Sequence, residues 1–101
     1  MTKPSRPYKE GLLKSLKDPS EAAAYLTAAL EDGEPDVFLV ALRHVAEAHG
    51  MTNVAKGAQL NRVSMYRMLS EDGNPQLSSL TVLLQQMGLR LAVEVQEPVP
   101  A

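Results

Sequence analysis

The stretch that decides the fold runs from Met51 to Leu69 and reads MTNVAKGAQLNRVSMYRML. Its apolar residues recur at helical spacing on both sides of a polar break, which predicts two short helices joined by a tight turn at residues 59–61. We expect Thr52 to cap the first helix and Asn61 the second, because both side chains accept hydrogen bonds from free backbone N–H groups. The pattern is typical of a helix-turn-helix, whose second helix lies in the DNA major groove.

The same spacing separates the inner and outer faces of the two helices. Val54 and Ala55 face inward on the first helix. Met65, with either Met68 or Leu69, anchors the second helix to the core. Outward arginines could bond guanine edges or phosphates, an outward valine could touch a thymine methyl, and helix N-termini favour phosphate. The predicted DNA-binding residues are Thr52, Asn53, Lys56, Asn61, Arg62, Val63, Ser64, Tyr66 and Arg67.

Charge is distributed unevenly along the chain. The net charge is -2, yet residues 48–70 contain no acidic side chain while they contain Lys56, Arg62 and Arg67. Residues 18–47 instead carry seven acidic side chains against Arg43 alone. An acidic protein with one basic, acid-free segment can still present a phosphate-binding face. The structural alternative is a pair of core helices whose arginines are simply solvated.

Composition narrows the class of protein. The chain has 101 residues, enough for one domain, and 45% of them are apolar, as is ordinary for a folded protein. The absence of cysteine excludes disulfides and cysteine-based metal sites. No signal peptide is visible and no apolar run approaches ~18 residues, so we expect a cytoplasmic protein without a membrane span.

The sequence lacks signatures of catalysis and of metal binding. His44 and His49 are five residues apart on a predicted helix, which puts them on different sides rather than in an i, i+4 metal pair. We expect both to be at the surface or partly packed. Because no nucleophile–base pattern and no glycine-rich phosphate loop is present, we expect no enzymatic activity, no bound metal and no cofactor.

The rest of the chain predicts a mainly α protein, a compact bundle of about five helices in a single domain over residues 8–96. Asp18-Pro19 and Glu34-Pro35 open two of these helices, and a glycine closes each. A short helix of one or two turns precedes them, and a last helix covers residues 77–87. Residues 1–7 are expected to form a flexible arm and residues 97–101 a flexible tail.

Near the C-terminus the apolar residues recur at every second position instead of at helical spacing. Leu89, Leu91, Val93 and Val95 alternate with mostly polar residues, which predicts a β-strand over residues 89–96. A lone strand leaves its backbone groups unpaired, so the simplest solution is pairing with the same strand of a second copy across a two-fold axis. These four residues are therefore the predicted dimer interface. The N-terminal segment is the alternative partner strand, although its leucines suit a helix better.

Two segments beside the helix-turn-helix carry a family resemblance. They read LKDPSEAAAYLTAALEDGEPDVFLVALRHVAEAHGM (16–51) and LSEDGNPQLSSLTVLLQQMGLRLAV (69–93). With the helix-turn-helix they resemble the addiction-module antidote (antitoxin) family, small helix-turn-helix proteins of the phage-repressor-like fold. The resemblance runs from about Tyr8 to Val93, and the run YRMLSEDGNPQLSSL is its most specific part. The family usually has glycine in the turn where this chain has Gln59, which implies a left-handed backbone at a non-glycine residue.

The resemblance implies a toxin partner of the RelE/ParE type, encoded in the same operon, and autorepression by binding the operon's own promoter. The acidic helices between Asp18 and Glu47 could attract a basic toxin, or could be a solvated face. Two other functions compete: a stand-alone helix-turn-helix regulator, and an interaction module that keeps the helix-turn-helix only as a scaffold. A short basic neighbouring reading frame favours the antitoxin, and DNA binding excludes the scaffold. The expected partners are double-stranded DNA, the cognate toxin and a second copy.

Overall fold

A computed structural model describes residues 5–97 of the chain, with side chains from Tyr8 onward, and six helices lie within that range. No helix in this range is long and apolar enough to cross a membrane. The prediction of a mainly helical, compact protein is confirmed. The helices are α1 (Ser5–Ser15), α2 (Pro19–Asp32), α3 (Pro35–His49), α4 (Met51–Gly57), α5 (Arg62–Met68) and α6 (Leu77–Gln86).

Local signals set both ends of α2. The Ser20 backbone N–H donates to Asp18 Oδ1 at 2.9 Å, and Pro19 occupies the first turn, where its missing N–H breaks no intrahelical bond. At the other end Gly33 adopts a φ of +88°, and its N–H donates to the Leu30 carbonyl oxygen at 3.1 Å. These boundaries are the ones that the sequence predicts.

The N-terminal helix is longer than one or two turns. It begins at Ser5, inside the segment predicted as an arm, while residues 1–4 lie outside the described residues. Pro7 falls in the first turn, where it is tolerated. The helix packs against α3, with Leu16, just beyond its end, fully buried and Leu12 half-buried. Because short helices owe their stability mostly to tertiary packing, this contact explains the added length.

The core is entirely apolar within the described residues. Small alanines such as Ala22 and Ala29 are buried where α2 packs against α3. Met65 and Leu69 are fully buried, so the second anchor of α5 is Leu69 and not Met68, which is only half-buried. The fully buried large side chains are Leu16, Leu42, Val45, Met65, Leu69, Leu83 and Met87. Helix α5 is therefore tied to the same core as α3 and α6.

Thr52 is not a helix cap, which corrects the prediction. Helix α4 begins at Met51, directly after Gly50, so Thr52 is already inside the helix. Gly50 adopts a φ of +95°, and its N–H donates to the Glu47 carbonyl oxygen at 3.1 Å. Gly50 alone joins α3 to α4. Because a cap residue flanks its helix and Thr52 lies within α4, Thr52 cannot be the cap.

The strand predicted over residues 89–96 is not formed, because the structure gives residues 89–97 no regular secondary structure. Leu89 packs on the core, and its N–H donates to the Leu84 carbonyl oxygen at 2.9 Å. Beyond it Val93 is 99% exposed and Val95 94% exposed. A strand exists only when another strand pairs with its backbone, and the described part of this single chain supplies none. This single chain gives no support for the predicted dimer pairing, and three of its four apolar residues face solvent.

Candidate nucleic-acid interface

A Schellman-type turn joins α4 to α5. The Leu60 N–H donates to the Ala55 carbonyl oxygen at 2.8 Å, and the Gln59 N–H donates to the Lys56 carbonyl oxygen at 3.0 Å. Gln59 occupies the left-handed position with a φ of +61°, the one positive φ outside glycine among the described residues. The left-handed backbone that the missing glycine implied is therefore confirmed. Leu60 packs against the core beside this turn, which holds the two helices in a fixed relation.

Asn61 caps α5 as predicted. Its backbone is extended, with φ -94° and ψ 167°, and its Oδ1 accepts a hydrogen bond from the Ser64 N–H at 2.7 Å. The amide oxygen of Asn61 is therefore engaged, and its amide nitrogen is the group left to contact a phosphate. Ser64 is half-buried, so of the predicted α5 contacts it is the least accessible.

The outer face of α5 presents two arginines, a valine and a tyrosine to solvent. Val63 is 67% exposed and Tyr66 37% exposed, and both Arg62 and Arg67 are exposed. The Arg62 guanidinium carbon lies 5.9 Å from the centre of the Tyr66 ring, within the range of a cation–π contact. This contact reduces the freedom of a long side chain, so Arg62 is partly oriented before any ligand arrives.

Helix α4 contributes a polar surface on its exposed side. Thr52, Asn53 and Lys56 are exposed, whereas Val54 and Ala55 are buried, as the sequence predicts. Within the described residues the one ion pair joins Lys9 and Glu47, so the cations of α4 and α5 are not neutralised by carboxylates there. The outward surface of α4 and α5, defined by the predicted residues between Thr52 and Arg67, is called the recognition surface below.

Acidic side chains collect on a different surface. Asp32, Asp36 and Glu71 line one groove between α2, α3 and the loop after α5. Apolar residues, among them Ala29 and Val40, line it as well, and no lysine or arginine does. The sequence does not predict this acidic groove, because Glu71 is distant in sequence from the other two carboxylates.

The two histidines belong to the packing of the helices and not to a site. The Tyr25 hydroxyl and His44 Nδ1 are 2.8 Å apart, and both side chains are half-buried. Burial lowers the pKa of His44, an effect that the Glu47 carboxylate opposes, and burial raises the pKa of Tyr25. His49 is half-buried too, so the expectation of surface or partly packed histidines is confirmed. In the range 5–97 no group of three potential metal ligands comes together.

Comparison with known proteins identifies relatives and a family. A relative from Haemophilus influenzae (strain Rd), itself described as an uncharacterized protein, is 28% identical over 79 residues, which is 78% of this chain and 81% of the relative. No solved structure gives a significant match. The family described as "Probable addiction module antidote protein" matches residues 10–95, which include all six helices except the first turns of α1. The chain belongs to this addiction-module antidote family, as its sequence resemblance indicated.

Proposed function

We propose that the protein is the antitoxin of a type II toxin–antitoxin module. In this proposal a homodimer represses its own promoter through the recognition surface, and the same protein binds and neutralises a RelE/ParE-type toxin. Membership of an antidote family supports the toxin partner and a regulatory, non-enzymatic role. The observation that carries the DNA-binding part is the outer face of α5, where two exposed arginines flank Val63 and Tyr66 on an acid-free segment.

DNA binding would place α5 in the major groove with its buried side held by Met65 and Leu69. Arg62 and Arg67 are suited to bidentate contact with guanine, and Val63 is suited to contact a thymine methyl group. On α4, Lys56 and the polar residues of the first turn are suited to phosphate contacts, which orient the protein without reading sequence. The cation–π contact of Arg62 with Tyr66 would lower the entropy lost when Arg62 binds.

Substitution of the two arginines tests this assignment. We expect Arg62→Ala and Arg67→Ala each to weaken promoter binding about 5- to 150-fold, which corresponds to about 1–3 kcal/mol for a base contact. If an arginine contacts only phosphate, its substitution would instead weaken binding to all DNA sequences alike. It would also lower the slope of log affinity against log salt concentration by about one. The measurement is a gel-shift titration at fixed salt with promoter and scrambled DNA.

Lys17→Ala is the matched control, since it removes one exposed positive charge between α1 and α2. Unchanged affinity in both arginine variants, with folding intact by circular dichroism, would show that this face is not the one that reads DNA.

A homodimer would let two copies of α5 read half-sites about one helical turn, ~34–36 Å, apart. The C-terminal segment is the surface proposed for pairing, because Leu91, Val93 and Val95 are exposed there and alternate with polar residues. Deletion of residues 89–101 is expected to give monomers and to remove most of the operator affinity. Sedimentation of the truncated protein as a dimer would contradict this role.

The acidic groove is the surface proposed for the toxin. Its apolar lining residues and its carboxylates, Asp32, Asp36 and Glu71, suit a partner segment that carries both apolar and basic side chains. Because these carboxylates lie outside the recognition surface, toxin binding and DNA binding are expected to respond to different substitutions.

Adjacent acidic residues supply a charge-matched test. Asp32→Lys with Glu71→Lys reverses two groove carboxylates, whereas Glu31→Lys with Asp72→Lys makes the same charge change beside the groove. In co-expression with the product of the neighbouring gene, the first pair is expected to lose complex formation and relief of toxicity while the second retains both. Equal effects of the two pairs would point to net charge alone. A wild-type chain that neither purifies with the neighbour nor relieves its toxicity would indicate a stand-alone regulator.

A further inference from the structure

The segment that follows α6 combines exposed apolar side chains with unpaired backbone. Leu91 is 43% exposed, and Val93 and Val95 are almost completely exposed. Leu89 makes the last backbone hydrogen bond, and within the described residues none joins 90–97 to another part of the chain. Arg90 and Glu94 are exposed in the same segment. The positions of these two charged residues select the register in which a second copy can pair with this segment.

We propose that residues 89–95 of two copies pair antiparallel about a two-fold axis at Ala92, with Arg90 of each copy opposite Glu94 of the other. This inference rests on the proposed homodimer and specifies its register. The residues that it assigns, Arg90, Ala92 and Glu94, are outside the apolar face that the sequence alternation selects.

Parity excludes half of the possible registers. In an antiparallel pair, residues directly opposite each other project from the same face of the sheet. If the two-fold axis passed between two residues, each odd-numbered apolar residue would lie opposite an even-numbered residue, and the two apolar faces would point in opposite directions. The axis must therefore pass through a residue, which keeps Leu89, Leu91, Val93 and Val95 of both copies on one face.

Charge then selects Ala92 among the remaining axes. With the axis at Ala92, Arg90 lies opposite Glu94 twice by symmetry, and opposite charges at such positions stabilise a strand pair. An axis at Leu91 would place Arg90 opposite Ala92, and an axis at Val93 would place Glu94 opposite Ala92, so neither register pairs the charges. The alanine methyl group is small enough to meet its own copy on the axis.

The same register pairs every apolar residue with another apolar residue. Leu91 lies opposite Val93 of the second copy, and Leu89 lies opposite Val95 of the second copy. Leu89 packs on the core beside an apolar groove that continues along the segment. The apolar part of this groove is lined by Leu26, Leu30, Phe38 and Leu84, and Leu30 is 59% exposed. The segment itself forms the other side of the groove, with Arg90, Ala92 and Glu94 among its lining residues. The register brings the otherwise exposed valines of the second copy to this groove, so we assign the second copy's C-terminal segment as its occupant.

Charge reversal tests the register directly. A homodimer of the Arg90→Glu variant would place two glutamates opposite each other at both symmetric pairs, and a homodimer of the Glu94→Arg variant would place two arginines there. Each single variant is expected to weaken the homodimer at least about tenfold at low salt, because like charges directly opposite each other are destabilising. An equimolar mixture of the two is expected to form heterodimers as tightly as the wild type, because each cross-strand pair of the heterodimer joins a glutamate to an arginine.

The register predicts complementary pairs both in the mixture and in the double variant. In the heterodimer of the two single variants, one symmetric pair joins the introduced glutamate to the introduced arginine, and the other joins the unchanged Arg90 to the unchanged Glu94. Both pairs are therefore complementary. The variant that carries both substitutions reverses each pair without removing it, so it is expected to homodimerise like the wild type.

Sedimentation equilibrium and native mass spectrometry of the full chain measure these species, and circular dichroism checks folding. Glu97→Arg is the matched control, because it reverses a charge in the same segment outside the paired residues and is expected to leave dimerisation unchanged. If the wild type is a dimer and the single variants dimerise equally well, the register is overturned while the homodimer stands. If the wild type is monomeric throughout, the proposed homodimer and its register both fail.

Discussion

Replacement of Gln59 by glycine is expected to stabilise the protein. Gln59 is held at a φ of +61° by backbone hydrogen bonds of the turn, and the left-handed conformation costs a residue with a Cβ about 1–2 kcal/mol. The Gln59 side chain is exposed, so removing it loses few packing contacts. Glycine loses about 0.5–1 kcal/mol more conformational entropy on folding, which offsets part of the gain. The net expectation for Gln59→Gly is a gain of about 0.5–1 kcal/mol.

Thermal and urea unfolding measure this gain. For a domain of this size, about 0.5–1 kcal/mol corresponds to a rise in melting temperature of about 2–8 °C. The m-value is expected to stay constant, since the substitution changes neither the core nor the surface exposed on unfolding.

Two control variants separate backbone strain from other effects of glycine. Gly33→Ala makes the opposite change at a φ of +88°, where an added Cβ meets nothing within 4 Å, so it is expected to lose about 1 kcal/mol from strain alone. Gln85→Gly removes an exposed glutamine from the right-handed backbone of α6 and is expected to lose up to about 1 kcal/mol. If Gln59→Gly destabilises the protein as much as Gln85→Gly does, the strain argument is wrong.

Two further predictions concern the cap of α5 and a half-buried histidine. Asn61→Ala is expected to lower the free energy of unfolding by about 1 kcal/mol, because the Ser64 N–H loses its acceptor. Asn61→Ser keeps an acceptor and is expected to retain most of the wild-type stability, as measured by denaturant titration. Because burial lowers the pKa of His44 in the folded state, the unfolded chain takes up the proton first, so stability is full above the ordinary value of 6.5 and falls as the pH drops below it. Urea unfolding of the wild type and His44→Gln at about pH 7.5 and about pH 5.5 measures this, and an equal loss in both proteins would exclude His44 as the source.

The outer face of α5 could be predicted well from sequence because helical spacing alone decides which side chains share a side. Buried Met65 and Leu69 leave Arg62, Val63 and Arg67 outward, as that spacing requires. The cap at Asn61 was also predictable, since its hydrogen bond reaches only three residues along the chain.

Tertiary contacts decided the features that sequence patterns missed. Thr52 has the chemistry of a cap, but the capping position is Gly50, two residues earlier, so α4 begins at Met51. Alternation at residues 89–96 predicts one apolar face, but a strand also needs a second strand to pair with its backbone, and the described residues supply none. In the single chain neither element forms as predicted, because an element boundary depends on neighbours that a local pattern does not contain.

The sequence by itself determined the helices whose signals are short-range: Asp18 and Asn61 as caps, Gly33 as a stop, and the apolar stripes that form the core. These interactions join residues within one or two turns, so the local sequence pattern predicts them. Only the tertiary structure decided that Glu71 joins Asp32 in one groove. Packing of α2 on α3, and the burial of Met65 and Leu69 beneath the turn, bring such distant residues together.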